Sequence, residues 1–338
     1  SFPTRRSSDL SFRNFYSAGI HTNHGLYATL YSFPAMMKRN LMKGSVIPRY
    51  SGLPTVLKEN GYYNLFFMTH EGQYDNMNAF FRTNGYDEVF SQENYPADKV
   101  VNSFGVQDDF LYDYAIPVLN QRAATGEPFF ATLLSISNHP PYVIPPFFHP
   151  KTSEPETQIV EYADWALRKF FEEARKQSWF DNTIFVLEGD HGKLVGDAEC
   201  ELPESYNHIP LMIYSSRIHP EEKNTFGGQV DIQPTILGLL NIDYLQNNFG
   251  VDLLKEERPC MFYTADNMIV GRNDTLLYLF NYETQQEFTY HIDNGKLKAV
   301  PMDDRFLPLK EYSFSMLQSA EFLVKHGKTV NSVPFTQQ

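Results

Sequence analysis

Asp190 and His191 stand side by side between two glycines, directly after a short apolar, partly β-branched run at residues 184–187. The run predicts a buried strand of a parallel sheet. Gly189 and Gly192 allow a sharp turn at the carboxyl end of that strand, where open α/β sheets place their active sites. A carboxylate and an imidazole delivered there together are suited to hold a divalent metal. The alternative is an Asp that satisfies a tight turn beside an exposed His, but the strand and the glycines favour a metal site.

Thr22 is the second group that could do chemistry. It is followed by Asn23, His24 and Gly25 and then by an apolar, helix-like run, which predicts that Thr22 lies at a helix N-terminus. Free backbone N–H groups and the helix dipole stabilise anionic oxygens there. A threonine hydroxyl that loses its proton beside a divalent metal would be a nucleophile toward phosphorus. The alternative is that Thr22 is only an N-cap residue.

The elements that must position these residues follow an α/β pattern. Short apolar runs alternate with helix-like segments from Ser11 to about Asn241, which predicts a doubly wound, mostly parallel sheet. After about residue 250 the pattern changes to antiparallel strands and one helix, so that a small C-terminal antiparallel α+β region is expected over residues 255–338. Strands are predicted at residues 63–68, 129–136, 184–187, 210–214, 276–280 and 287–292, and helices at residues 159–178, 231–240 and 311–328.

Composition limits the class of protein. A length of 338 residues can bury a sizeable core, and 28 Lys and Arg against 41 Asp and Glu give a net charge of −13. This charge argues against nucleic acid as a natural partner.

Cys200 and Cys260 allow one disulfide without requiring it, and their spacing matches no zinc site. No apolar run approaches the roughly 18 residues that span a membrane, and no signal peptide is recognisable.

The first ten residues resemble the conceptual translation of a common short-read sequencing adapter. We therefore expect residues 1–10 to be an artefact and exclude them from predictions about the fold. The natural N-terminus would then lie elsewhere, and the missing signal peptide or membrane anchor carries no information.

Several motifs, in the expected order from about Ser11 to Leu254, together resemble the lipoteichoic acid synthase family. This family belongs to the sulfatase-like branch of the alkaline phosphatase superfamily. The resemblance implies an alkaline phosphatase/sulfatase-like catalytic domain over residues 11–254. The motifs are Thr-Asn-His-Gly at residues 22–25, Asn-Met-Asn-Ala-Phe-Phe-Arg at 76–82 with Asn-Gly-Tyr at 84–86, Ser-Asn-His-Pro-Pro-Tyr at 137–142, Tyr-Ala-Asp at 162–164 and Gly-Asp-His-Gly at 189–192.

The resemblance also implies a function and a location. Members of the family are extracytoplasmic catalytic domains, usually attached to an N-terminal bundle of membrane helices. They move a phosphoglycerol, phosphoethanolamine or similar group from a phospholipid donor to a glycan or lipid acceptor. For this chain we expect the bacterial cell envelope, on the extracytoplasmic face of the inner membrane, with the anchoring helices absent from the sequence.

Residue by residue, the resemblance implies that Thr22 is the nucleophile and also a metal ligand. Asp190 and His191 match two further ligands, and the three donors suit one Mn²⁺ or Zn²⁺ ion. Arg82 matches an arginine that binds the substrate phosphate, for which a guanidinium fork is well suited. Phe80 falls where the family often has an aromatic residue beside the glycerol group.

Three histidines complete the expected site. His139 matches a histidine near the transferred group and is a candidate general acid for the leaving alcohol. His70 is a further candidate pocket histidine. For His208, in the Tyr-Asn-His-Ile-Pro segment at 206–210, three roles stay open: a pocket residue, a ligand of a second metal as in some relatives, or a structural histidine.

One departure from the family pattern concerns the remaining metal ligand, a glutamate that follows the first strand upstream of the threonine motif. Residues 11–21 contain no Glu. We therefore expect the first core strand and one ligand to be absent from this sequence, and metal affinity and activity to be weak. Glu188 lies close to the motif but is not nominated as a substitute.

Two alternative functions stay open. One is a hydrolase of phosphate or sulfate esters on the same scaffold. Sulfate hydrolysis is disfavoured because neither cysteine lies in the Cys-X-Pro-X-Arg context that sulfatases convert to formylglycine, whereas phosphodiester hydrolysis remains possible. The other is an inactive glycan-binding relic, which would have no use for the whole set of candidate site residues.

Overall fold

The predicted alternation of strands and helices is confirmed in the structure, a computed structural model that describes residues 9–44 and 46–331. The α-helices are α1 (Thr22–Tyr31), α2 (Leu53–Glu59), α3 (Met77–Thr83), α4 (Asp108–Ala123), α5 (Pro155–Ala174), α6 (Ile232–Leu239) and α7 (Leu307–Lys325). The strands are β1 (Leu10–Tyr16), β2 (Tyr63–Met68), β3 (Glu88–Phe90), β4 (Val100–Asn102), β5 (Gly105–Val106), β6 (Phe129–Leu134), β7 (Phe185–Glu188), β8 (Leu211–Tyr214), β9 (Glu221–Gly228), β10 (Met261–Thr264), β11 (Met268–Arg272), β12 (Leu276–Asn281), β13 (Gln286–Asp293) and β14 (Lys296–Ala299).

The described residues divide into two compact units. The first unit comprises Pro54–Ile184 and Ser215–Arg217. The second unit comprises residues 9–44 and 46–53, Phe185–Tyr214 and residues 218–331. No helix among the described residues combines the length and the apolar character that crossing a bilayer requires.

The first unit is built on a parallel sheet with strand order β3-β2-β6. Strand β2 lies in the middle and pairs in parallel with both neighbours, so five of its six residues are buried. The apolar run at residues 63–68 predicted this strand to the residue. Helix α5 buries Tyr162, Phe170 and Phe171 on one face, as its helical spacing predicted.

The second unit contains a mixed sheet with strand order β7-β8-β1-β9. Strand β1 pairs in parallel with β9 and antiparallel with β8. The sequence predicted residues 184–187 as a buried strand of a parallel sheet, and this detail is wrong. Strand β7 pairs antiparallel with β8, its one partner among the described strands, and its side chains are half-buried or exposed.

A five-stranded antiparallel sheet with order β10-β11-β12-β13-β14, together with helix α7, forms the C-terminal part. This confirms the predicted antiparallel α+β region. One face of this sheet shares a core with the rest of the second unit, where Tyr16 and Phe226 cluster with Met261 and Tyr263. The predicted division between residues 254 and 255 stays a prediction.

The predicted artefact at residues 1–10 falls largely outside the described residues, since only Asp9 and Leu10 belong to them. Leu10 begins strand β1 and pairs with Ile213 and Glu221. The artefact and the expected strand upstream of it both stay predictions.

A buried ion pair fixes the start of α6 in the second unit. The side chains of Asp231 and Arg258 are 0% and 1% exposed, and the guanidinium Nε donates to both carboxylate oxygens at 3.0 and 2.8 Å. Asp231 also accepts the backbone N–H groups of Gly228 and Val251, each at 2.9 Å. Since both charges have partners, the pair is a rigid internal anchor.

We predict that Arg258→Met lowers the free energy of unfolding by about 3–5 kcal/mol, because it leaves the Asp231 carboxylate buried without its counter-ion. Urea denaturation of the purified variant measures the loss. The matched control is Arg305→Met, which removes a solvent-exposed partner of Asp303 and should change stability little. Equal effects of the two substitutions would show that burial of the pair is unimportant.

Candidate functional site

The structure brings Thr22, Asp190 and His191 together in the second unit. The Thr22 hydroxyl donates a hydrogen bond to Asp190 Oδ2 at 2.6 Å. The same carboxylate oxygen lies 3.5 Å from Nε2 of His191. A hydroxyl, a carboxylate oxygen and an imidazole nitrogen therefore lie close together, and we call this group the Thr-Asp-His corner.

Thr22 is the first residue of helix α1, as the sequence predicted, but it is not the N-cap. His21 takes that position with extended backbone angles, and no side chain caps the helix. The hydroxyl of Thr22 is thus used for the contact with Asp190 rather than for a capping bond. It lies at the positive end of the helix dipole, where developing negative charge is stabilised.

Hydrogen bonds orient both partners of Thr22. Asp190 Oδ1 accepts the backbone N–H of His191 at 2.9 Å, which leaves Oδ2 for the hydroxyl. Nδ1 of His191 lies 2.8 Å from the carbonyl oxygen of Gly192. Because a carbonyl only accepts, Nδ1 must carry the proton, and the neutral ring presents the lone pair of Nε2 to the corner.

Two glycines allow the backbone segments of the corner to approach. A Cβ atom added to Gly25 would lie 2.5 Å from the backbone oxygen of Asp190 and 2.9 Å from Nε2 of Gln229. A Cβ added to Gly192 would collide with the backbone oxygen of Ser205. Gly25 therefore lets helix α1 touch the turn at Asp190, and Gly192 lets that turn approach the backbone at Ser205.

Gln229 is a positioning residue that the sequence did not reveal. It is completely buried, and its Nε2 donates to the carbonyl oxygens of Gly189 and Asp190 at 3.1 and 2.8 Å. Its Oε1 accepts the backbone N–H of Ala18 at 2.8 Å. One amide thus joins the segment before Thr22 to the turn that carries Asp190. Only the fold brings these segments together, so no local sequence pattern marks Gln229.

The three donors fit a divalent metal but do not surround it. Ligand atoms about 2.1 Å from a tetrahedral ion lie about 3.4 Å apart, and the 3.5 Å between Asp190 and His191 agrees with this spacing. The hydrogen bond from Thr22 would open when the hydroxyl loses its proton. Among the described residues, no group of three or more His, Cys, Asp and Glu side chains converges as a metal site would require. The corner therefore offers three ligands and leaves one side open.

A second carboxyl group lies close by on strand β7. Burial raises the pKa of Glu188 to about 8. Its Oε1 accepts a hydrogen bond from the hydroxyl of Thr29 on helix α1 at 2.6 Å. Glu188 is therefore directed toward α1 rather than toward the three donors of the corner.

In the first unit, a chain of aromatic contacts links His70 and His139. The His70 ring lies 4.7 Å from that of Tyr74, Tyr74 lies 6.4 Å from Phe104, and Phe104 lies 4.1 Å from His139, all between ring centroids. His70 is 1% exposed and His139 is half-buried. The structure thus brings these two predicted site histidines into one aromatic cluster.

The loop that carries His139 is held by a buried carboxylate. Asp108, in the first turn of α4, accepts the backbone N–H groups of Ile136 and Ser137 at 3.0 and 2.9 Å. Nδ1 of His139 lies 2.7 Å from the carbonyl oxygen of Pro140, so this nitrogen is the donor and Nε2 is left for other partners. Asp108 is a second positioning residue that the sequence did not reveal.

Arg82 lies on α3 with its side chain exposed. Its Nε donates to the side-chain oxygen of Asn78 at 2.9 Å, and its terminal nitrogens make long contacts of 3.5 and 3.4 Å to the carbonyl oxygens of Asp87 and Val89. Only the first contact has normal length, so most of the guanidinium can still bind an anion. Its role at a phosphate stays a prediction.

Two other predicted site residues are placed differently from expectation. Phe80 is 0% exposed and packs against Phe81, so in this conformation its ring offers no surface to a substrate. His208 is exposed, stacks on Tyr16 at 5.1 Å and directs Nε2 to the carbonyl oxygen of Arg13 at 2.6 Å. These contacts favour the structural role among the three that were open for His208.

Comparison with known proteins identifies the family of this chain. The sulfatase family model matches residues 4–242, more than two thirds of the chain. The chain belongs to the sulfatase family. Lipoteichoic acid synthase 1 of Bacillus subtilis (strain 168) is 26% identical over 274 residues, which are 74% of this chain but only 41% of that protein. The chain thus spans less than half the length of this relative.

Two solved structures share the fold. A protein of the alkaline phosphatase superfamily from Vibrio parahaemolyticus aligns with a TM-score of 0.87 and 26% identity, covering 97% of this chain and 81% of that chain. The lipoteichoic acid synthase LtaP from Listeria monocytogenes aligns with a TM-score of 0.79 and 21% identity, covering 94% and 84%. These similarities confirm the resemblance to the lipoteichoic acid synthase family and the alkaline phosphatase/sulfatase-like fold class.

We predict that Gly25→Ala destabilises the second unit although alanine favours helices. The added Cβ must push α1 away from Asp190, and overpacking outweighs the gain in helix propensity by an amount on the order of 1 kcal/mol. Hydrogen exchange at the amides of residues 22–25 and urea denaturation measure the effect. The matched control is Gly189→Ala, whose Cβ would meet Ile209 at an ordinary 3.4 Å. A Gly25→Ala protein more stable than the parent would disprove the tight contact.

The buried His70 should weaken the protein in mild acid. Burial lowers the pKa of His70 below its ordinary value of 6.5. Below that pH the unfolded chain takes up a proton that the folded state resists, so stability falls as the pH falls. His70→Gln should flatten this decline in urea titrations between about pH 7 and pH 5. His149→Gln, at an exposed position of the same unit, is the control and should leave the decline unchanged.

Proposed function

We propose that this chain is the catalytic part of a metal-dependent phosphotransferase. It would move a phosphoglycerol- or phosphoethanolamine-type group from a phospholipid donor to a glycan or lipid acceptor through a phospho-threonine intermediate at Thr22. The observation that carries the proposal is the hydroxyl of Thr22 at the start of α1, bonded to Asp190 Oδ2 with Nε2 of His191 beside the same oxygen. A mere capping threonine would not direct its hydroxyl to this carboxylate.

In the first step, Oγ1 of Thr22 forms a bond to the phosphorus of the donor while the bond between phosphorus and the diacylglycerol oxygen breaks. Asp190 Oδ2 already accepts the hydrogen bond of the hydroxyl and is the first acceptor of its proton. In the second step, an acceptor hydroxyl attacks the phosphorus and gives its proton to the group that protonated the leaving diacylglycerol oxygen. The bond to Thr22 breaks, and Oγ1 takes back its proton from Asp190 Oδ2. The N-terminus of α1 stabilises negative charge on Thr22 in both steps.

Thr22, Asp190 and His191 would hold the metal. When bound, Mn²⁺ or Zn²⁺ would supply the positive charge that lowers the pKa of the Thr22 hydroxyl and offsets the charge of the phosphoryl oxygens. The tautomer of His191, with its proton on Nδ1, leaves Nε2 ready as a ligand without any rearrangement.

For Arg82 and His139, the resemblance supports roles at the substrate phosphate and at the leaving alcohol. The guanidinium of Arg82 has one normal hydrogen bond and spare donors. Nδ1 of His139 is fixed by the carbonyl oxygen of Pro140, so Nε2 is the atom that would transfer a proton. Each role is proposed from the contacts that the side chain makes within the first unit.

The proposed partners and location follow from the relatives. A relative with 26% identity is named a lipoteichoic acid synthase. We therefore propose a phospholipid donor, an acceptor at the outer face of the bacterial inner membrane, and attachment to that membrane through a segment outside this sequence. The net charge of −13 supports the absence of nucleic acid from this set of partners.

We predict that Thr22→Ala lowers turnover by about 10³-fold or more, because no other group replaces the nucleophile. The protein as made in its source organism is incubated with Mn²⁺ and vesicles of phosphatidylglycerol or of phosphatidylethanolamine. Lipid mass spectrometry measures released diacylglycerol, and intact-protein mass spectrometry detects the adduct on Thr22. Thr22→Ser keeps a hydroxyl and should retain the adduct.

Undiminished release of diacylglycerol by Thr22→Ala would exclude the mechanism. The products distinguish transfer from hydrolysis: transfer places the headgroup phosphate on an added glycolipid acceptor, whereas hydrolysis releases it free in solution. The lipid that is consumed identifies the headgroup.

A further inference from the structure

Helix α1 makes two hydrogen bonds to the segment formed by strand β7 and the turn after it, not one. Besides the bond from Thr22 to Asp190, the hydroxyl of Thr29 donates to Oε1 of Glu188. Both bonds measure 2.6 Å, a length typical of a hydroxyl bonded to a carboxylate. The sequence suggested no role for either Glu188 or Thr29.

The two bonds lie at separate points of the helix and of the segment that it contacts. Thr22 and Thr29 are seven residues apart, which is close to two turns, so both side chains lie on one face about 10.5 Å apart along the axis. Glu188 is the last residue of β7, and Asp190 lies two residues further on, in the turn that follows. The helix is therefore held at two separate points of the same strand segment.

Two points of attachment constrain a helix more than one does. Packing already restrains α1, since seven of its ten residues are buried. The Thr22 contact fixes the orientation of its first turn, and the bond from Thr29 to Glu188 fixes the same face two turns away. Gly25, on the same face between the two bonds, brings the helix against the backbone of Asp190.

The energetics argue that this second bond does not serve stability. Oε2 of Glu188 is buried and has no hydrogen-bond partner among the described residues. A buried carboxyl oxygen without a partner costs stability, whereas an apolar pair of similar shape at positions 29 and 188 would avoid that cost. The hydrogen bond between Thr29 and Glu188 lies two residues from Asp190 and does not stabilise the fold. We therefore infer that it has another role.

We propose that Glu188 and Thr29 are positioning residues that fix the orientation of α1 and thereby place Oγ1 of Thr22 for attack. This inference rests on the proposed function of Thr22 as nucleophile. Neither residue touches the substrate. Their loss lowers the rate of the chemical step and leaves substrate binding unchanged.

The first test replaces Thr29. Thr29→Val removes the hydroxyl at nearly constant shape, and kcat should fall on the order of 10- to 100-fold with unchanged KM, since small misplacements of a reacting group have effects of this size. Thr29→Ser restores the hydroxyl and should restore kcat. Thr289→Val is the matched control: it removes a similar bond, 2.7 Å to the carbonyl oxygen of Val300, in the C-terminal sheet and should leave kcat unchanged.

The second test separates positioning from stability. The double variant Glu188→Leu/Thr29→Val removes both polar groups, so its urea midpoint should equal or exceed that of the parent while kcat still falls. Amide hydrogen exchange at residues 22–25 should become faster in this variant, a readout that does not depend on activity. Parental kcat and exchange in the double variant would overturn the inference, as would a loss of kcat that only follows a loss of folded protein.

Thr22→Ala distinguishes the failure of this inference from the failure of the proposed function. If Thr22→Ala is inactive and the double variant retains parental kcat, only the positioning role of Glu188 and Thr29 is wrong. If Thr22→Ala retains full turnover, the proposed nucleophile itself is wrong.

Discussion

The hydrogen bond between Thr22 and Asp190 is the contact on which the candidate site depends, because it joins two segments that are 168 residues apart in the sequence. One partner begins helix α1, and the other follows strand β7. The neighbouring features serve this contact: Gly25 removes a side chain that would separate the segments, and Gln229 bonds to the backbone on both sides. The resulting corner combines an orienting carboxylate, a helix N-terminus and an imidazole in the tautomer that a metal ligand would need.

The surroundings of the corner are organised for placement more than for stability. Glu188 keeps a buried oxygen without a partner among the described residues, while the side chains of β7 are half-buried or exposed. The ion pair of Asp231 and Arg258 in the same unit shows the opposite arrangement, since each charged group there has several partners. Rigid packing of this kind can support a site that carries unfavourable polar groups.

The first unit contains two predicted site histidines that are held by hydrogen bonds and ring contacts. Asp108 holds the loop of His139 through two backbone N–H groups, and aromatic contacts join His139 to the buried His70. Membership in the sulfatase family supports a shared origin for these motifs, whereas the roles of the individual side chains at a phosphate rest on the resemblance. The sequence predicted both histidines as site residues, which stays a prediction, and the fold shows how Nδ1 of His139 is directed.

The sequence by itself determined the elements and the local chemistry. A mostly apolar run predicted β2 to the residue, and the glycines around Asp190 and His191 predicted a turn after a strand, because backbone freedom and burial of contiguous side chains are local properties. Tertiary structure alone decided which strands are neighbours, so β7 proved to be an antiparallel edge strand and Phe80 a core residue. It also decided the contacts of Gln229, Glu188 and Thr29, since hydrogen bonds between distant segments depend on how elements pack and leave no periodic pattern in the sequence.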